Sequence, residues 1–139
     1  MNVAELLISL TTHYNAIIRS FAQKQSLTRS QALLLLNIPF DGIAMTNLAH
    51  KLGIDNSTLT RNINKLNLLN LVSKKREKYD KRVINVVITS EGKAVLNELE
   101  QPLNDFNISI VNHIDIEDQN KTTELLEKLI WAMDCLREQ

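Results

Sequence analysis

Aromatic side chains are scarce in this chain, at 4% of 139 residues, and glycine and proline number only three and two. So few turn-formers leave room for few tight bends, which is the profile of a helix-rich protein. Cysteine occurs once, at Cys135, so no internal disulfide can form; this fits a reducing, cytoplasmic setting. No apolar run approaches the ~18 residues that a membrane span needs. The N-terminus has no basic segment followed by an apolar core, so neither a membrane partner nor secretion is expected. His13, His50 and His113 lack ligand spacing with cysteine or carboxylates, so no metal is expected. Nucleophile–base signatures and Gly-rich phosphate loops are also missing, so the chain reads as a non-enzyme without a cofactor.

The formal net charge is +0, yet its distribution is uneven. Between Arg61 and Arg82 there are eight Lys/Arg against Glu77 and Asp80. From Glu91 to the end there are eleven Asp/Glu against four Lys/Arg. The middle of the chain is suited to meet an anion and the C-terminal third is not. Hydrophobic residues at 44% and charged residues at 23% are ordinary for one folded domain.

Hydrophobic spacing predicts a first helix over residues 2–24, with Val3, Leu6, Leu7, Leu10, Tyr14, Ile17, Ile18 and Phe21 in one stripe. A second helix begins near Thr28, where Thr28 and Gln31 have capping-box spacing and Leu27 is placed as a staple residue. Its run Ala32–Leu36 belongs at the core, and Pro39 with Asp41-Gly42 ends it. A short third helix over 46–52 faces Leu48, Ala49 and Leu52 inward and is closed by Gly53. Ile54 reads as the buried turn residue. Asp55 or Asn56 then caps a fourth helix reaching Leu69, with Leu59, Ile63 and Leu66 inside. Asn70 suits a left-handed helix stop. Residues 71–76 and 83–89 read as two strands around a charged tip. A long helix follows Thr89-Ser90-Glu91, and Pro102 should kink or split it. Asp115 and Asp118 start a last helix striped with Leu125, Leu126, Leu129, Ile130, Met133 and Leu136. The end helices carry more apolar surface than one small domain covers, so a symmetric homodimer is expected.

A polar-faced helix followed at once by a basic hairpin is how a winged helix-turn-helix holds double-stranded DNA. Ser57, Thr58 and Thr60 are short donors at a helix start, and Arg61, Asn56, Asn64 and Lys65 stand on the same outer face, suited to base edges and phosphates. Lys74, Lys75, Arg76, Lys78 and Lys81 suit sequence-independent phosphate attraction.

In order and spacing, three segments resemble the MarR family of bacterial transcription regulators across nearly the whole chain. They are Leu27-Thr28-Arg29-Ser30-Gln31; Leu48-Ala49 with Leu52–Arg61; and Leu71-Val72, Asp80-Lys81-Arg82, Ile88-Thr89 and Glu91-Gly92. The resemblance implies a mainly α fold with a small β-hairpin wing. Residues 27–89 would form the DNA-binding lobe, and residues 1–26 and 90–139 the helices of a homodimer. It implies a regulator, more often a repressor, on a pseudo-palindromic operator. It also implies that Asp80 orients Arg82 for the minor groove at the wing tip. Two positions depart from the family pattern. Asn70 stands where glycine is usual, and Ala44 stands where a capping Thr or Ser is common, so that Thr46 is expected to cap instead.

Many members of the family release DNA when a small lipophilic or phenolic effector binds between the dimer helices and the DNA-binding lobe. Tyr14, Ile17, Leu36 and Phe106 are the candidate pocket residues here, although the shortage of aromatics gives an aromatic ligand no support. Cys135, beside Met133 and Leu136, reads as a plain interface or core residue rather than a redox switch. The alternative to a DNA-binding regulator is a protein-interaction module on the same scaffold, which should display exposed apolar residues on its binding face.

Overall fold

A computed structural model describes residues 1–138. Among the described residues, six helices and three short strands follow in the order α1 (Val3–Lys24), α2 (Arg29–Asn37), β1 (Ile43–Ala44), α3 (Met45–Leu52), α4 (Asn56–Leu68), β2 (Val72–Arg76), β3 (Ile84–Ile88), α5 (Ser90–Asn112) and α6 (Ile116–Arg137). The chain divides into two compact units, Met1–Leu103 and the segment from Asn104 on. The division falls inside α5, and the first unit includes α1 together with residues 27–89.

Local signals account for most element boundaries. At the start of α1, Asn2 and Glu5 form a reciprocal capping box. Thr28 and Gln31 do the same for α2, as their spacing predicts, and Leu27 is buried beside them. Gly53 ends α3 at φ 65 and Asn70 follows α4 at φ 60, both left-handed. Asp55 is the residue that caps α4.

The core of the first unit gathers Ile18 and Ala22 from α1, Ala32, Leu34 and Leu35 from α2, Leu48 and Ala49 from α3, and Leu59, Ile63 and Leu66 from α4. Val72 and Val86 join it from the strands, Leu99 from α5, and Leu27, Ile38 and Leu71 from the connections. Each fully buried leucine or isoleucine contributes about 1.5–3 kcal/mol of transfer free energy. This packing fixes which face of α4 turns outward. The sheet is antiparallel in the order β1-β3-β2, with Val72 opposite Ile88 and Arg76 opposite Ile84.

Two expectations need correction, and two are narrowed. Thr46 does not cap α3: the helix begins at Met45, its N-cap is Ala44, and that end has no side-chain cap. The cause is β1, a strand too short to register in the sequence pattern. Pairing of Ile43 with Val86 and of Ala44 with Asn85 commits the backbone up to Ala44 and leaves Thr46 inside the first turn. Ile54 is half-buried rather than buried, packing on the edge of the core. Of the kink or split expected at Pro102, the split does not occur, because α5 runs through it. A proline removes one N–H and crowds one carbonyl four residues back, while the hydrogen bonds on either side can persist. Cys135, expected at an interface or in the core, is exposed, which removes the core alternative.

The second unit contains the end of α5 and all of α6, and no α6 residue is buried within the chain. Leu125, Leu126, Leu129, Ile130, Met133 and Leu136 are all exposed. Among the described residues no helix is long and apolar enough to cross a membrane.

Candidate nucleic-acid interface

The outward face of α4 carries Asn56, Ser57, Thr60, Arg61, Asn64 and Lys65, all exposed, and from Asn56 to Lys65 it has no exposed apolar side chain. Thr58 is the exception among the contact residues predicted on α4, since it is half-buried. Its backbone N–H donates to Asp55 Oδ1 at 2.6 Å, and the Ser57 hydroxyl donates to the same oxygen at 2.8 Å. The Thr58 N–H first, and the Ser57 hydroxyl after it, stabilise the Asp55 carboxylate and lower its pKa from 3.8 to about 2. Ser57 is therefore part of the helix cap in this state. Thr60 donates its hydroxyl to the Asn56 carbonyl at 2.8 Å, while Arg61 is exposed.

The wing is the β2–β3 hairpin. Val83 N–H donates to the Asp80 carbonyl at 3.0 Å and Glu77 N–H to the Val83 carbonyl at 2.9 Å, which closes the tip. Asp80 then takes three donors from one residue. Arg82 backbone N–H and Nε each reach Oδ1 at 3.1 Å, and Arg82 Nη2 reaches Oδ2 at 3.3 Å. The Arg82 side chain first, and its backbone N–H second, hold the Asp80 carboxyl below its ordinary pKa. Arg82 is nonetheless 91% exposed. A fixed fork on an exposed guanidinium is pre-oriented for an anion or a groove.

Two of the predicted basic contacts also serve the fold. Lys74 Nζ donates to Asn64 Oδ1 at 2.7 Å, tying the wing to the outer face of α4. Arg76 Nη1 donates to the Lys81 carbonyl at 2.7 Å, across the hairpin. Lys75, Lys78 and Lys81 are exposed, and Lys78 Nζ lies 5.9 Å from the Tyr79 ring centre. The wing is anchored at its base by Thr89, whose hydroxyl donates to the Asn70 carbonyl at 2.6 Å and accepts from Gly92 N–H at 3.0 Å.

Arg82 shares a hollow of about 240 Å³ with Asn56, Thr60 and Thr46, so the wing arginine lies alongside the start of α4. The sequence pattern does not point to Thr46 as a site residue, because only the folded chain brings α3 to this position. Tyr14, Ile17 and Leu36 are half-buried in the first unit, and Phe106 is exposed in the second. Among the described residues no group of three His, Cys, Asp or Glu is placed to hold a metal.

This helix-turn-helix with an adjoining wing is the fold of winged-helix transcriptional regulators. Residues 16–99 match the family model for the transcriptional regulator SarA/Rot. The chain belongs to the SarA/Rot family of transcriptional regulators, whose winged helix is of the MarR type. A curated relative, the HTH-type transcriptional regulator SarZ of Staphylococcus epidermidis, is 28% identical over 110 residues, covering 78% of this chain and 71% of its own. Among solved structures, wild-type apo MarR from E. coli has a TM-score of 0.80 at 20% identity, over 93% of this chain and 96% of that one. The MepR–DNA complex of S. aureus has a TM-score of 0.78 at 15% identity, over 95% and 98%. The fold expected from the sequence, mainly α with a small β-hairpin wing, is the fold of these proteins.

Proposed function

We propose that the chain is a homodimeric, sequence-specific DNA-binding regulator, acting in the cytoplasm and without catalysis, that grips a pseudo-palindromic operator. The outer face of α4 enters the major groove. There Arg61, Asn56 and Asn64 meet base edges, while Ser57, Thr58, Thr60 and Lys65 approach the backbone. Lys74, Arg76, Lys78 and Lys81 surround the hairpin with positive charge, and Arg82 reaches the neighbouring minor groove. The observation that carries this reading is the Asp80–Arg82 pair, an exposed guanidinium held by its own neighbour beside a helix face with no exposed apolar residue between Asn56 and Lys65. The MepR–DNA complex, on the same fold, supports DNA as the partner. Exposed apolar stripes on α6 and on the first half of α1 support the dimer. Release by a small-molecule effector would add a switch to this core activity.

Arg82→Ala tests the proposal. Its fold should be intact by circular dichroism, and operator affinity in a mobility-shift assay at fixed salt should fall about 5- to 150-fold. Unchanged affinity would remove Arg82 from the interface.

A further inference from the structure

We propose that α4 is bracketed by arginines, and that Arg29, with Arg19 beyond it, holds the DNA sugar–phosphate strand on the side of α4 away from the wing. This deepens the DNA-binding reading and rests on it. Helical spacing sets the geometry. At about 100° per residue, the row Asn56–Thr60 and the row Thr58–Asn62 lie about 160° apart, on opposite flanks of α4. The first row shares its hollow with Arg82. The second row lines a different hollow, of about 220 Å³, together with Arg29 and Ser30 of α2. The exposed face carrying Ser57, Arg61 and Asn64 lies between the two flanks.

Beyond Arg29 the surface continues into two further hollows, of about 560 and 500 Å³, that share Arg19, Gln23 and Arg29. Their remaining polar lining is hydroxyl and amide, with no acidic residue. Neither the Arg19 nor the Arg29 side chain has an ion pair or hydrogen bond among the described residues, and both residues are exposed. Unpaired guanidiniums free of acidic neighbours match phosphate geometry. A major groove about 12 Å wide is walled by two phosphate strands, so a helix lying in it meets a backbone on each flank. On one flank Arg82 passes the strand to reach the minor groove beyond it, on the other Arg29 holds the strand itself, and Arg19 extends the track along α1.

The test uses Arg19→Gln/Arg29→Gln, Arg29→Lys and Arg82→Ala, each checked by thermal melting and titrated against duplex DNA by fluorescence anisotropy across a salt series. Phosphate contacts carry no sequence information. The double variant should therefore lose affinity equally for operator and scrambled duplex, and its log affinity–log salt slope should fall by about 0.9 for each phosphate no longer neutralised. Arg29→Lys should keep most of the slope. If the double variant retains the wild-type slope and affinity while Arg82→Ala weakens operator binding, the bracketing is overturned and the DNA reading stands. If inorganic phosphate raises the melting temperature of wild type but not of the double variant, with slopes unchanged, the hollow takes a free anion and the DNA assignment is likewise overturned. Absence of wild-type affinity for any duplex at low salt removes both readings.

Discussion

At the scale of single residues, the wing depends on groups that hold position without touching a partner. Gly92, in the first turn of α5, packs so closely on the Leu71 backbone that a Cβ there would collide with the Leu71 carbonyl oxygen and crowd Ile88. That carbonyl accepts Thr89 N–H at 3.1 Å, so it cannot retreat without loosening the base of the wing. Gly92→Ala should therefore destabilise the protein by about 1–3 kcal/mol, as overpacking does, read as a lower midpoint in urea unfolding. An unchanged midpoint would mean that the backbone yields at little cost. Asp80 and Arg82 were indicated by the resemblance to the MarR family, which implies that the carboxylate orients the arginine. The sequence could not indicate Gly92's role, because the close approach is to a backbone more than 20 positions earlier. Arg29 was visible only as part of a helix start. Its place beside Thr58 and Asn62 depends on how α2 packs near α4.

At the scale of elements, boundaries with a side-chain mechanism were legible and those without one were not. The Thr28–Gln31 box, Gly53 and Asn70 each leave a local signature. By contrast, β1 is two residues long and depends on pairing with β3, so neither it nor the Ala44 cap position of α3 could be read from periodicity. The cap of α4 gives a pH prediction. Asp55 titrates near 2 in the folded state against an ordinary 3.8, so its ionised form is favoured by folding. A depressed carboxylate contributes stability that is fully present above about 3.8 and is lost as pH falls through about 2. Asp55→Ala should be less stable than wild type at neutral pH, and the gap should narrow from pH 4 to pH 2 in denaturant titrations. Asp55→Asn, which can still accept the Thr58 N–H, should retain much of the cap without that pH dependence. A gap constant down to pH 2 would contradict the assigned role.

At the scale of the whole molecule, charge and apolar surface are segregated. The basic residues cluster between Arg61 and Arg82, and the acidic, apolar-striped segment follows Glu91. Leu129, Ile130 and Met133 expose their side chains on α6, and Val3, Leu6 and Leu10 do so on α1. The dimer reading predicts that Leu129→Glu/Ile130→Glu shifts sedimentation from two chains toward one and weakens operator binding with it. A wild-type monomer at micromolar concentration would contradict it. In the function proposed above, this chain reads a DNA sequence as a symmetric pair. Selection of bound sequences from a random duplex pool tests it most directly. The expected product is an inverted repeat with half-sites about one helical turn apart, ~34–36 Å; a pool that stays random after repeated rounds, or that converges on a single unrepeated half-site, would contradict it.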